Sequence, residues 1–314
     1  MKIIRNNSSI DKESYLVATI GYFDGIHLGH KEIIKRIVND AKSNEGESIL
    51  ITFWPHPRTI LNKNINIKFI LSKDDKHKLL NDMGIDILYI IKFTVNFSKI
   101  SASEFINQFL IKKLNIDKLI IGYNHCFGHN REGNFRFLKK NKEKYPFKIE
   151  EVKKKEIDKK LEISSSEIRN KILNGEMKDA SIMLGYRYFL EGNIISGDGI
   201  GKGINFPTAN IKIDNSDKII PKDGVYVAQA IIGNERYNGM VNIGYRPTVD
   251  GNSKTIEMHM FDFDDDLYGE VIQIIFIKRI RNEIKFDNLN ELESKLNQDK
   301  KTAIKIIRDE KIRN

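Results

Sequence analysis

His27 and His30 stand three residues apart in the run TIGYFDGIHLGH, residues 19–30, directly after two glycines, Gly21 and Gly25. A spacing of three sets both imidazoles on one face of the first turn of a helix. Glycines at the head of that helix let backbone N–H groups approach a phosphate, and the helix N-terminus favours its negative charge. Two imidazole donors in that position suit the charge that develops on phosphoryl oxygens during displacement. A turn-capping histidine beside a surface histidine is the plainer alternative; with no third ligand nearby, a zinc site is not expected. Further along, the run ISSSEIR, residues 163–169, places Ser164, Ser165, Ser166 and Arg169 at the start of another helix. Their hydroxyls and N–H groups can hold triphosphate oxygens, and the guanidinium can neutralise a departing pyrophosphate. The same letters make a capping box of Ser164 and Glu167 with Arg169 on the surface, and for these residues taken alone that is the preferred reading.

Two other chemical readings fail on spacing. The run GDGIGKG, residues 197–203, carries Gly199, Gly201, Lys202 and Gly203 and invites a Walker assignment. That loop needs four residues between its first glycine and the Gly-Lys pair, then Ser or Thr. Here Gly201 comes too early and Gly203 follows Lys202, which leaves only a general glycine-rich phosphate nest. Cys126, between His125 and Phe127, could be called a nucleophile. Neighbours on a strand point to opposite faces, so His125 is badly placed to activate it, and Cys126 is expected to be a passive packing residue.

The elements that must position these residues change character along the chain. Apolar runs at 15–20, 48–53, 85–93 and 118–122 alternate with helical patterns, among them Ile33, Ile34, Ile37 and Val38. A helix over 72–83 starts on Ser72 with Asp75 three residues later, and Ser101 with Glu104 forms a capping box. Strand–helix alternation predicts parallel strands and right-handed crossovers, hence a doubly wound, Rossmann-like sheet with ligands at the carboxyl ends of its strands. From Tyr186 onward, short strands recur at 187–195, 209–213, 224–232, 237–244, 255–263 and 270–280. Tyr226, Ala228, Ala230 and Ile256, Met258, Met260 alternate as on half-buried strands. This half predicts an antiparallel barrel or sandwich closed by a helix over 288–307, with a domain boundary at 184/185.

At 314 residues, two domains are expected. One cysteine excludes an intrachain disulfide and favours a reducing compartment, and the N-terminal stretch shows no apolar core of a secretory leader. No stretch is apolar for the length of a membrane helix, so neither secretion nor a membrane partner is expected. The net charge of +9 could suggest nucleic acid, but lysines are interspersed with Glu and Asp rather than clustered with aromatics.

The run HLGH, 27–30, after GYFDG resembles the HxGH signature of nucleotidylyltransferases, and the longer string resembles the adenylyltransferase module of bacterial bifunctional riboflavin kinase/FAD synthetases. FWPHPR at 53–58, SASEF at 101–105, GYNHCFG at 122–128 and the serine run follow in that family's order. The glycine-rich loop followed by FPTAN, 206–210, resembles the same family's kinase module, as do PKDGVY at 221–226, TIEMHMFDF at 255–263 and the stretch to Phe286. The resemblance covers residues 17 to about 306 and implies a six-stranded antiparallel barrel with a terminal helix for residues 185–314, after an FMN adenylyltransferase domain over 1–184. It implies phosphorylation of riboflavin to FMN and adenylation of FMN to FAD, with ATP as co-substrate and Mg²⁺ as cofactor, in the cytoplasm. One module decayed to leave a single activity is the alternative. By the same resemblance, Gly21, Phe23, Asp24, Gly25, Asn124 and the serines contact ATP in the first module, and His56 and Pro57 contact flavin. In the second, Gly199, Gly201, Lys202, Gly203 and Pro207 contact ATP, and Thr208 and Asn210 hold Mg²⁺. Glu257 is then the catalytic base, and Arg279 and Arg281 lie on the flavin side. Three departures stand out: Asn124 where the family usually has Asp, His125-Cys126 for Phe-Arg, and Asn205 for a glycine. Asn tolerates the left-handed region, so a left-handed Asn205 and an active kinase are expected. The oligomeric state is left open, a monomer being compatible.

Overall fold

The computed structural model describes residues 1–5, 10, 13–62, 67–153, 163–196, 203, 206–215, 217–248, 251–263 and 267–312. The chain divides into two compact units, Met1–Ser165 and Ser166–Asn314.

The first unit is a six-stranded parallel sheet. In chain order its strands are β1 (Lys2–Arg5), β2 (Leu16–Ile20), β3 (Glu47–Trp54), β4 (Ile87–Lys92), β5 (Lys118–Gly122) and β6 (Lys148–Val152), arranged β1-β4-β3-β2-β5-β6. Every pairing is parallel. The central strands are apolar runs because both faces are covered: all five residues of β2 are buried. Helix α1 (Leu28–Ser43) packs on β2 and β3 through Ile34, Ile37, Val38 and Ala41. It is followed by α2 (Pro57–Leu61) and α3 (Lys73–Asp82). α4 (Ala102–Phe105) runs on as a π-helical segment, Ile106–Lys113, and α5 (Phe135–Lys140) precedes β6. Both expected capping boxes form: Ser72 accepts from the Asp75 N–H at 3.0 Å, and Ser101 from that of Glu104 at 3.2 Å. The chain moves outward from β2 through β3 to β4, then returns to place β5 on the other side of β2. The sheet therefore has its switch point between β2 and β5, where an open α/β sheet binds ligands.

The second unit begins with α6 (Ser165–Asn174) and α7 (Met177–Leu184), whose buried Met177, Ala180, Met183 and Leu184 pack toward the barrel. These two helices pack with the barrel. The strands are β7 (Phe189–Ile195), β8 (Ala209–Lys212), β9 (Gly224–Ile232), β10 (Glu235–Thr248), β11 (Gly251–Met260) and β12 (Val271–Arg281). They close as an antiparallel barrel in the order β10-β11-β8-β7-β12-β9. Tyr226, Ala228, Ala230, Ile256 and Met258 fill the interior at 0–4% exposure, as the alternation predicts. The outer wall is also covered: Val225, Val227, Met240 and Phe261 pack against Ala303 and Ile307 of α8 (Leu289–Ile312).

Candidate functional site

The loop between β2 and α1 is held in a conformation few sequences permit. Phe23 and Ile26 adopt positive φ of 54° and 37°, and Gly25 has φ 80°. The buried Phe23 ring folds back over Gly21, where a Cβ would lie 2.7 Å from Cε2; only glycine leaves that space. His27 is the N-cap of α1, its Nδ1 accepting from the His30 N–H at 3.3 Å. The two rings stack with centroids 3.6 Å apart at 16°, and His30 rests against Phe23 at 4.8 Å. Since Nδ1 of His27 accepts, its proton sits on Nε2. Burial lowers the His27 pKa to about 4. Burial, followed by the charges of His27, Lys76 and His125, carries His30 well below its ordinary value. Both imidazoles are therefore neutral at pH 7.

These histidines line one cavity with Gly29, Gly122, Asn124, Lys153, Ser164 and Ser165, at the switch point of the sheet. Gly21, Phe23, Asp24 and Gly25 lie in the β2–α1 loop that leads into it, and are not among its lining residues. The Asp24 carboxylate accepts the Ile70 N–H at 3.1 Å and that of Leu71 at 3.4 Å, and its carbonyl accepts the Ser165 hydroxyl at 2.9 Å. Asp24 is thus an internal tie. Ser166, exposed, and Arg169, half-buried, belong to α6 in the second unit.

His56 caps α2, with Nδ1 accepting from the Arg58 N–H at 3.0 Å, and Pro57 takes the first helical position. The His56 ring lies edge-on to Tyr22 at 4.2 Å and 5.7 Å from Phe69. With Trp54, 43% exposed, they form an aromatic patch beside the Gly21–Gly25 loop. His125 and Cys126 stand in a turn after β5, not on a strand. The premise that strand alternation separates them fails, although the thiol is directed at the Asn124 carbonyl, 3.8 Å away. Burial lowers the His125 pKa to about 4.

A residue missed in the sequence is Lys76. It is 8% exposed, donates to the Tyr22 carbonyl at 3.1 Å, and stands 4.3 Å over the Tyr22 ring. Burial lowers its pKa to about 8, the nearby Asp24 carboxylate opposing the shift. The signal was available: Lys76 shares the buried face of α3 with Leu80.

In the second unit, Glu257 on β11 is the register partner of Asn210 on β8 and of Asn242 on β10, so the three side chains share one face of the wall. Ile256 and Met258 point into the barrel and Glu257 away from it, as the alternation requires. Thr208, exposed, precedes β8 by one residue. Pro207 is half-buried between the buried Phe206 and Thr208. Gly203 is exposed, with open space where a Cβ would stand. Gly199, Gly201, Lys202 and Asn205 lie outside the described residues. The arginines expected on the flavin side are engaged within the protein. Arg281 Nε pairs with Asp299 of α8 at 2.8 Å, the carboxylate being 2% exposed. Arg279 donates to the Asp223 carbonyl and to Asn282 Oδ1. Arg281 therefore ties α8 to the wall, whatever else it touches.

Among the described residues, no group of three or more His, Cys, Asp and Glu could hold a metal ion. The hydroxyl of Thr208, the amide oxygen of Asn210 and the carboxylate of Glu257 are nevertheless hard oxygen donors close together on one wall. That set fits Mg²⁺, which keeps waters and shares phosphate oxygens rather than occupying an all-protein cage.

A histidine-lined cavity at the switch point of a parallel sheet, joined in one chain to a barrel with a carboxylate–amide pair on its wall, fits a two-domain phosphoryl- and nucleotidyl-transfer enzyme. The FAD synthetase family model matches residues 9–167 and the riboflavin kinase model residues 184–307. The bifunctional riboflavin kinase/FMN adenylyltransferase of Bacillus subtilis is 36% identical over 94% of this chain and 93% of its own. That of Escherichia coli is 31% identical over 96% and 97%. A crystal structure described as a macrolide-efflux protein from Streptococcus pneumoniae superposes with a TM-score of 0.88 at 29% identity, over 96% of this chain and 99% of that one. The chain belongs to the bifunctional riboflavin kinase/FMN adenylyltransferase family, and carries both the FAD synthetase and the riboflavin kinase domain. Among its described residues, no helix is long and apolar enough to cross a membrane.

Proposed function

We propose that the barrel unit phosphorylates riboflavin with ATP and Mg²⁺, and that the sheet unit transfers AMP from a second ATP to the resulting FMN, releasing pyrophosphate. One observation carries this reading: each unit holds its own constellation, stacked His27 and His30 in the first and opposed Glu257 and Asn210 in the second. In the kinase step, Glu257 orients the riboflavin 5′-hydroxyl and accepts its proton as the oxygen attacks the γ-phosphorus in line, the bond to the β–γ bridging oxygen breaks and ADP leaves. Thr208 and Asn210 would hold Mg²⁺, which would supply positive charge to offset that of the phosphates. Gly199, Gly201, Lys202, Gly203 and Pro207 belong to the ATP side of this site, and Arg279 and Arg281 to its flavin side.

In the adenylyl step, a phosphate oxygen of FMN attacks the α-phosphorus of ATP and pyrophosphate leaves. His27, neutral with Nε2–H available, and His30 donate to oxygens that gain charge in the transition state, at the positive end of α1. Asn124, Ser164, Ser165 and Ser166 hold phosphate or adenine, and Arg169 receives the pyrophosphate. The patch of Tyr22, Trp54, His56 and Pro57 offers an aromatic face for the isoalloxazine ring. A division of function at 184/185, with the FMN adenylyltransferase over 1–184 and the riboflavin kinase over 185–314, and a reducing cytoplasmic setting for the single Cys126, complete the reading.

The test is direct. Purified chain given riboflavin, ATP and Mg²⁺ accumulates FMN and then FAD, while FMN and ATP alone yield FAD. Absence of FMN in the first reaction, or of FAD in the second, would remove the corresponding half of the proposal.

A further inference from the structure

The ladder between β8 and β11 stops early. Glu257 pairs with Asn210 and Met258 with Ala209, and the next step of the same register would set His259 against Thr208. That step lacks backbone pairing. One residue further back stands Pro207, which has no N–H to give. The chain just ahead of β8, which includes Thr208, therefore leaves the ladder at the place where the kinase chemistry requires it to be held.

A side chain takes over from the backbone there. Nδ1 of His259 lies 2.8 Å from the Pro207 carbonyl oxygen. A carbonyl only accepts, so Nδ1 carries the proton. The imidazole is 7% exposed and wedged between aromatic rings, 4.9 Å from Phe206 and 5.7 Å from Phe261. Among the described residues its Nε2 has no hydrogen-bond partner, so a proton there would have no acceptor. The neutral Nδ1–H tautomer is thus the form this pocket accepts. His259 shares the wall face of Glu257, two residues along the same strand. One rigid strand therefore presents the carboxylate and, two residues on, grips the segment that carries Thr208 and Asn210.

We propose that His259 is a positioning residue of the kinase site: its bond to Pro207 replaces the missing ladder step and sets Thr208 and Asn210 against Glu257. The proposal rests on the reading of the second unit as the kinase, and deepens it. Asn can place an N–H near the position of Nδ1, whereas Phe keeps the ring and loses the donor.

The experiment compares wild type, His259→Phe and His259→Asn in the full chain. FMN formation is measured against varied MgATP and varied riboflavin, with amide exchange at residues 208–210 followed in parallel. His259→Phe should raise the MgATP KM about tenfold, the scale of leaving a buried carbonyl unpaired. The riboflavin KM should stay within about twofold, and exchange at 208–210 should accelerate by the same order. His259→Asn should recover most of both effects. FAD formation from FMN should be unchanged in both variants. An unaltered MgATP KM in His259→Phe, equal losses in the Phe and Asn variants, or equal rises in both KM values would overturn the proposal. If even wild type made no FMN, the kinase reading would fall, and exchange at 208–210 would still decide whether His259 holds the segment.

Discussion

Glu257 and Asn210 are direct register partners on adjacent antiparallel strands, so a carboxylate and an amide share one face of the barrel wall. Glu257→Gln keeps that geometry and removes the base. FMN formation should fall by about 10²–10⁴-fold, the range of a general base, while FMN and ATP still give FAD. Separate assays of the two half-reactions check this; a folded variant that lost both would break the assignment of one site to each unit.

His27→Ala combined with His30→Ala should have the opposite outcome. FAD formation should drop by roughly 10²–10³-fold or more, the scale of removing transition-state donors, with riboflavin phosphorylation intact. His27→Asn, which retains a helix cap, should keep stability but not rate.

The pH dependence of stability follows from the sign of the shifts. His27 and His125 are held at about 4 in the folded unit, below the ordinary 6.5, so between those values the unfolded chain binds more protons. Stability should therefore fall as pH drops from about 6.5 toward 4, by on the order of 3 kcal/mol for His27. Thermal unfolding midpoints over that window test it, and His27→Asn should flatten the slope.

Lys76 meets the opposite end of the pH scale. With its pKa lowered to about 8, the ammonium is lost as pH rises through that value, and with it the charged bond to the Tyr22 carbonyl. FAD formation should decline along that alkaline limb. Lys76→Met should be slower at pH 7 and lack the limb, while remaining about as stable as wild type, because burying an ammonium costs what its bond returns.

A fragment of residues 166–314 should be a better-folded riboflavin kinase than one beginning at Tyr186. The shorter piece loses the buried Met177, Ala180, Met183 and Leu184, worth several kcal/mol of apolar contact. Its unfolding midpoint should lie about 10 °C lower or more.

Cys126→Ser should leave FAD formation within a few-fold, since the thiol is directed at the Asn124 carbonyl and a hydroxyl can replace it there. A loss beyond about a hundredfold would mark it as catalytic.

Much of this was legible from periodicity and capping. The strands Lys118–Gly122 and Gly224–Ile232 fall where the apolar runs end, because burial on a fixed face leaves a clear pattern. The edge strands Lys2–Arg5 and Lys148–Val152 were not foreseen, since an edge strand half in water carries no continuous apolar signal. The histidine pair was found by spacing, yet its stacking, and the use of His27 Nδ1 as a cap, depend on a turn that composition does not reveal. Asp24 and Arg281 read as ligands in the motif and turn out to be tied to Ile70 and to Asp299, residues 46 and 18 positions away. Such long-range partners leave no local trace.

The barrel closes on itself in the order β10-β11-β8-β7-β12-β9, and so none of its strands ends a sheet. A one-residue slip of β11 would exchange Glu257 for the buried Met258 on the outer wall. At the edge of an open sheet such a slip disturbs one neighbour, but every strand of a ring has two, and both must follow. Glu257, the proposed base, is therefore held in place by the topology of the whole ring. Drift in the barrel's apolar residues should leave Glu257 in place until the ring itself opens, so the kinase should fail all at once rather than by degrees.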